Sequence, residues 1–193
     1  MQKIKIYRGV CVLLFLVSIS LSVCLYFSHV SNQKMQEELA QENVKNWNTL
    51  LAMTQKLEDN MDSSDQLQKF SLYQNGILYA VSDRIQPALE GDNFRFLCTS
   101  YDPLMQELAS NSGNAEEALV REGLALYQNM NSHLQDICLF VISSTEEDSQ
   151  NKYALLQSDS HFSQEVKALL EEYCEKYREQ LESFFEKWQQ QSE

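Results

Sequence analysis

Residues 9–28, GVCVLLFLVSISLSVCLYFS, form an apolar run without a single charged side chain. Twenty helical residues, at about 1.5 Å per residue, are enough to cross about 30 Å of hydrocarbon. Lys3, Lys5 and Arg8 precede the run, whereas Lys34 is the one basic residue among the fifteen that follow it. The positive-inside bias therefore predicts a single-pass membrane protein with residues 1–8 in the cytoplasm and residues 29–193 outside.

The end of the apolar run leaves two alternatives to a retained signal anchor. The core of a cleaved signal peptide is usually about 7 to 15 residues long, and residues 26–31 resemble a small-residue cleavage site only weakly. The segment from Leu21 to Cys24 resembles a bacterial lipobox, although Val23 stands where that pattern has a small residue. We expect a retained anchor, with cleavage and a lipid-modified Cys24 as the alternatives.

Beyond the run, the apolar positions repeat at helical spacing. Residues 29–61 contain neither glycine nor proline, which predicts a helix that continues from the membrane: a polar stalk followed by a bundle helix from Trp47. Its apolar stripe is Leu39, Trp47, Leu50, Leu51, Thr54, Leu57 and Met61. Ser63 with Gln66 fits a capping box for the next helix.

Four further segments show a helical apolar pattern. A second helix carries Phe70, Tyr73, Ile77, Val81, Ile85 and Leu89, with a kink predicted near residues 83–87 because of Pro87, and Gly91 at its end. A shorter, broken element covers residues 93–110 and restarts at Asp102-Pro103. The next helix carries Val120, Leu124, Tyr127, Met130, Leu134, Ile137 and Val141, and it ends near residue 144.

The last helix, residues 161–190, carries an aromatic-rich stripe of Phe162, Val166, Leu169, Leu170, Tyr173, Tyr177, Leu181, Phe184, Phe185 and Trp188. Together the segments predict an all-α fold, in which one N-terminal transmembrane helix continues into an antiparallel bundle of four to five helices. Residues 29–62 are the stalk and first bundle helix, and residues 63–193 are the remainder of the bundle.

Two apolar patches are candidate partner-docking surfaces. The polar stretch 143–160 contains Tyr153, Leu155 and Leu156, and the last helix ends with Phe185 and Trp188. Packing against the bundle is the alternative role for both patches. Substituting Phe185 and Trp188 together is accordingly expected to weaken the bundle, not only to reduce binding.

Charge and cysteine content narrow the class of partner. Residues 29–193 hold twelve basic and 28 acidic side chains, a formal charge of −16. Such a surface repels phosphate backbones, which argues against nucleic acid and leaves basic protein surfaces and cations as partners. Cys98, Cys138 and Cys174 each lie in a predicted helix beside apolar neighbours, so we expect buried thiols, with a disulfide as the alternative.

Catalytic and metal motifs are missing from the sequence. His29, His133 and His161 are far apart, and no Glu-x-x-His, C-x-x-C or phosphate-binding loop occurs. We therefore expect no enzyme activity, no cofactor and no metal site, and a surface or capping role for the histidines. Four glutamates on one side of the last helix are expected to form a solvated face, with binding of a basic partner as the alternative. They are Glu175, Glu179, Glu182 and Glu186.

Two functions remain after these exclusions. The first is a non-enzymatic scaffold or accessory subunit of a bacterial envelope, which binds another protein or a second copy of itself. The second is an extracytoplasmic sensor with a small ligand between its helices, in a polar pocket built from residues such as Arg84, Arg95, Arg121 or His133. The layout is similar to the helical sensory domains of bacterial chemoreceptors and to the helical front part of spore-germination accessory proteins. This resemblance is one of architecture, without a shared motif.

Overall fold

Every secondary-structure element among the described residues of the computed structural model is a helix. The structure describes residues 2–58, 73–74, 76–81, 84–85, 91–111 and 117–192. The helices are α1 (Gln2–Glu58), α2 (Gly91–Thr99), α3 (Tyr101–Asn111), α4 (Glu117–Glu147), α5 (Asn151–Ala154) and α6 (His161–Ser192). Residues 73, 74 and 76–81 are also helical. The predicted all-α class is confirmed for this part of the chain.

The chain divides into two units, Met1–Leu39 and Ala40–Glu193. In the first unit, α1 contains a stretch that is long and apolar enough to cross a membrane. Its large apolar side chains between Leu14 and Leu39 are 43–70% exposed. The Ser22 hydroxyl donates to the Ser18 carbonyl at 2.9 Å, which satisfies this polar group within its own helix.

In the second unit, α1 contributes to a helical core. The side chains of Trp47, Leu50 and Met53 are at most 1% exposed. Burial begins at Ala40, two turns before Trp47, so the predicted polar stalk is too long at this end. The sequence pattern missed this part because two of its buried side chains are asparagines, which resemble solvent-facing residues.

In the second predicted helix, Val81 and Ile85 are buried as predicted, but nearer the start of this segment the buried face is rotated from the predicted one. Tyr73 is 38% exposed, whereas Gln74 and Leu78 are completely buried. The helix has ended by Arg84, whose amide donates to the Val81 carbonyl in a turn, in agreement with a break near the predicted kink. Residues 86–90 lie outside the described residues, as do the capping pair at 63 and 66 and the core positions predicted at 61, 70 and 89.

The prediction for Gly91 is wrong, because this residue is the first of α2 and not the end of the preceding helix. The predicted broken element is present as α2 and α3, with the break at Ser100. Pro103 lies in the first turn of α3, where its missing amide hydrogen leaves no helical hydrogen bond unmade. The following helix, α4, continues to Glu147, slightly beyond its predicted end.

Helices α4 and α6 form the most extensive pairing in the second unit, and they run antiparallel. Lys187 near the end of α6 contacts Glu122 near the start of α4, at 2.5 Å. Phe162 near the start of α6 packs against Phe140 near the end of α4, with ring centroids 6.0 Å apart. The predicted stripe of α6 is confirmed: eight of its members are core residues, and Leu169 and Phe185 pack against that core.

Gly123 allows α3, α4 and α6 to approach one another closely. A Cβ atom at this position would lie 2.7 Å from Leu108 Cδ2 and 2.8 Å from Phe184 Cζ. Both distances are shorter than van der Waals contact, so any side chain here would have to displace its neighbours. Gly76 differs, because a Cβ atom there would have no neighbouring atom of the described residues within 4 Å.

Cys98, Cys138 and Cys174 are buried, as expected from their apolar neighbours. Burial raises the pKa of the Cys138 thiol, and it raises the pKa of Cys174 to about 12 despite the nearby Arg178 guanidinium. Because the thiolate is the reactive form, both groups behave as small apolar side chains at neutral pH.

Candidate functional site

Two open depressions lie side by side between α4 and α6. The first has a volume of about 400 Å³ and is lined by Glu122, Ala125, Leu126, Asn129, Glu179, Gln180, Ser183 and Phe184. The second has a volume of about 440 Å³ and is lined by Asn129, Ser132, His133, Asp136, Lys176, Tyr177 and Gln180. Because Asn129 and Gln180 line both, the depressions form one continuous surface feature, which we name the α4–α6 groove.

The antiparallel pairing of α4 and α6 produces this groove. Their large aromatic side chains, such as Tyr177 and Phe184, are almost fully buried in the interface between the helices. The positions that flank the interface carry shorter or flexible polar groups, among them Asn129 and Gln180, which leave the cleft open. The Tyr177 hydroxyl donates to the Asn129 carbonyl at 2.8 Å and joins the two helices beneath the groove.

A layer of hydroxyl-bearing aromatic side chains crosses the core beside the groove. The Tyr127 hydroxyl donates to Gln74 Oε1 at 2.7 Å, and the Tyr127 ring meets the Tyr101 ring edge to face at 5.6 Å. The hydroxyls of Tyr101 and Tyr173 share a hydrogen bond. Tyr173 in turn packs against Tyr177, with ring centroids 4.9 Å apart. Burial raises the pKa of Tyr101, Tyr127 and Tyr173, so the layer is uncharged at neutral pH.

His133 lies where this layer reaches the groove. Its ring packs edge to face against Tyr173 at 5.4 Å and against Tyr177 at 5.7 Å. Its Nδ1 atom is buried and has no hydrogen-bond partner among the described residues. A surface role was expected for this histidine, but its half-buried ring forms part of the floor between α4 and α6.

The charged groups around His133 shift the pKa of its imidazole in opposite directions. Burial lowers the pKa of the imidazole, and the Lys176 ammonium lowers it further. Glu172 and Asp136 raise this pKa, but their combined effect is smaller. The neutral imidazole is therefore favoured at pH 7, and it is available to accept or donate a hydrogen bond at the groove floor.

Other predicted pocket residues do not turn inward. Arg84 is exposed and pairs with Glu42 at 3.3 Å, and Arg121 is exposed and pairs with Glu117 one turn earlier in α4. Arg95 is exposed as well. Of the four side chains considered for a polar pocket, only His133 reaches the interior, because long charged side chains lose hydration when they are buried.

The five predicted docking residues divide into buried and half-buried positions. Leu155 and Trp188 are 1% and 4% exposed, and the Trp188 indole donates to Glu107 Oε2 at 3.0 Å. These two are core residues, which corrects the prediction of an exposed patch there, because a buried side chain presents no surface to a partner. Tyr153, Leu156 and Phe185 are half-buried, and their docking role stays a prediction.

The polar side chains within the core were missed by the sequence pattern. Gln74 uses its carbonyl oxygen for Tyr127, while its Nε2 atom is buried without a partner among the described residues. Asn131 donates to the Thr54 carbonyl at 2.8 Å. One signal was available: Gln74, Leu78, Val81 and Ile85 follow helical spacing as regularly as the stripe that begins at Tyr73.

No group of three or more metal-binding side chains occurs among the residues that the structure describes. Glu175, Glu179, Glu182 and Glu186 are all exposed. His29 and His161 are exposed as well. The candidate site therefore consists of the groove, its aromatic floor and the charged side chains along it.

Comparisons of the chain with protein-family models, with curated proteins and with solved structures find no match. In the part of the chain that the structure describes, the class of protein is all-helical, with one candidate membrane-spanning helix near the N-terminus.

Proposed function

We propose that the chain is a single-pass membrane protein and a non-enzymatic scaffold or accessory subunit of a bacterial envelope. In this proposal residues 1–8 are cytoplasmic and α1 crosses the membrane. The helices of the second unit then form an antiparallel bundle outside, which binds another protein through the α4–α6 groove.

The observation that carries this proposal is the composition of α1. From Leu14 onward its apolar stretch is exposed, and a membrane would cover that surface. The same helix supplies Trp47, Leu50 and Met53 to the core of the second unit. Anchoring and folding therefore share one element, which suits a protein whose task is to hold a binding surface beside a membrane.

Topology is tested on the full chain expressed in a bacterial host. A protease added outside intact spheroplasts should digest the region after residue 29, and removal of residues 1–28 should release the protein from the membrane fraction. A chain whose C-terminal region resists the protease, with digestion after lysis as the control, would contradict the proposed orientation.

Partner binding is tested with a photo-crosslinking amino acid at Gln180, which lines the groove. The matched control places the same group at Glu182, which is exposed on α6 and does not belong to the groove lining. In its native cells the full chain should give a discrete protein adduct from position 180 and not from 182. Equal labelling from both positions, or from neither, would count against a scaffold that uses this groove.

A second candidate function is ligand sensing, which the depression around His133 favours. Its lining is largely polar, and the imidazole and the amides of Asn129 and Gln180 converge on one space. Native mass spectrometry of the full chain released from detergent micelles distinguishes the two functions. A retained small molecule supports the sensor, and a bare chain or a chain with a second polypeptide supports the scaffold.

A further inference from the structure

The depression beside Phe184 combines an apolar floor with an acidic edge. Its apolar lining consists of the exposed Ala125 and the mostly buried Leu126 and Phe184, and Glu122 and Glu179 lie at the edge. Lys187 already neutralises Glu122, through a contact of 2.5 Å. Glu179 is exposed and has no hydrogen bond or ion pair with any of the described residues. Its carboxylate is thus available to a cation from outside.

The rest of the groove adds no net charge, because Asp136 and Lys176 both line the second depression. With Lys187 paired to Glu122, Glu179 is the uncompensated carboxylate of the groove lining, in a region whose formal charge is −16. An uncompensated carboxylate in an acidic domain attracts cationic ligands and repels anionic ones. The groove also extends over two joined depressions, which is longer than a single small ligand requires.

We propose that the α4–α6 groove binds a basic segment of a partner protein through a lysine or arginine side chain. The alkyl part of that side chain lies against Ala125 and the accessible edge of Leu126, and its cationic head lies at Glu179. Long basic side chains suit such a place, because their stems cover apolar surface while their charged ends stay at the polar edge. This inference rests on the proposed scaffold function and names the chemistry of the partner.

The test measures fluorescence anisotropy of the full chain in nanodiscs of uncharged lipid, at physiological salt. The probe is a fluorescein-labelled ten-residue peptide of alternating lysine and alanine, and a peptide of alternating glutamate and alanine is the control. The lysine peptide should bind and the glutamate peptide should not. Three variants then locate the site: Glu179→Gln at the groove, Glu182→Gln on α6 outside its lining, and Ser183→Phe, which fills the depression without changing the charge.

Glu179→Gln should weaken the binding of the lysine peptide about threefold to fivefold, as expected for one exposed ion pair. Ser183→Phe should weaken it at least about tenfold, because the added ring occupies the place of the peptide side chain. Glu182→Gln should change it less than about twofold. Circular dichroism of each variant checks that the helices are intact.

Equal weakening by Glu179→Gln and Glu182→Gln would overturn the inference, because it would show attraction by the overall charge and not binding in the groove. Unchanged binding in Ser183→Phe would overturn it as well. Neither result affects the scaffold proposal, which the position-specific crosslink tests separately. A crosslink from position 180, combined with peptide binding that none of the groove variants changes, would support the scaffold function. It would also show that the partner does not bind the groove through a basic side chain.

Discussion

The two parts of α1 show that the more apolar stretch of a chain is not necessarily the buried one. Between Leu14 and Val30 the helix carries no Asp, Glu, Lys or Arg, yet its large apolar side chains are 43–70% exposed. From Ala40 to Thr54 it carries seven buried residues, and three of them are polar (Asn43, Asn46 and Thr54). Apolar composition alone therefore does not bury a side chain within the protein. The exposed stretch is long and apolar enough to cross a membrane.

The largest expected effect contrasts aromatic pairs in the two environments. Replacing Phe185 and Trp188 by alanine should lower the free energy of unfolding by about 5 kcal/mol, because one buried and one half-buried ring are lost. Tyr26 and Phe27 also pack edge to face, at 6.0 Å, but they are 65% and 67% exposed. Replacing Tyr26 and Phe27 by alanine should change the free energy of unfolding by less than about 0.5 kcal/mol.

Both double variants are measured by urea unfolding of the full chain in detergent micelles, followed through the fluorescence of Trp47. An unchanged unfolding midpoint in the Phe185 and Trp188 variant would show that these two side chains do not belong to the core. A large loss in the Tyr26 variant would mean that the first part of α1 packs against protein.

The next effect locates the boundary within α1. Trp47→Ala should lower the free energy of unfolding by about 4 kcal/mol, because its side chain is 1% exposed. Leu39→Ala should lower it by less than about 0.5 kcal/mol, since Leu39 is 50% exposed. Unfolding is followed here through Trp188, the other tryptophan of the chain. Equal losses in both variants would show that the core begins before Ala40, which would contradict the boundary within α1.

A smaller effect, with opposite signs, is expected at two helical glycines of the second unit. Gly123→Ala should destabilise it by about 1 kcal/mol, since overpacking outweighs the gain in helix propensity. Gly76→Ala should stabilise it by about 0.5 to 1 kcal/mol, because the added methyl group meets no neighbour. Chemical denaturation measures both. Stabilisation by both variants would show that Leu108 and Phe184 can move aside, and that the core is looser than these distances indicate.

The smallest effect concerns protonation of the interior. Because the pKa of His133 is lowered in the folded protein, the unfolded chain binds the proton first as the pH falls below about 6.5. The free energy of unfolding should therefore be highest above pH 6.5 and decrease towards the lowered pKa. His133→Gln should remove part of this slope. Equal slopes in both proteins would contradict the burial of His133.

Much of the fold was predictable because helical periodicity is a local property. The stripe of α6 and the buried members of the α4 stripe, from Tyr127 to Val141, follow from apolar residues spaced three or four apart. The face at Gln74 was not predictable in the same way, because Ile77 and Leu78 define two equally regular stripes. The stripe that contains Gln74 is the buried one, and Gln74 accepts a hydrogen bond there from Tyr127, a residue distant in sequence.

The candidate site was largely invisible in the sequence. Docking was predicted at the large apolar side chains Leu155 and Trp188, but these are the groups that packing removes from the surface. The groove is instead lined by small and polar residues of two helices, such as Asn129 and Gln180, which are individually ordinary. His133 was considered for an interior pocket, but its position beside Tyr173 and Tyr177 depends on the pairing of α4 with α6.

The amino-acid sequence alone shows the helical class, the apolar run near the N-terminus and the acidic charge of the region that follows. These depend on local spacing and composition, so they need no knowledge of contacts. Packing between the helices sets where burial begins in α1, which face of residues 73–81 is inside and that a groove lies between α4 and α6. Each of these depends on contacts between residues distant in sequence, and the free energy of such contacts belongs to the pair and not to either residue alone.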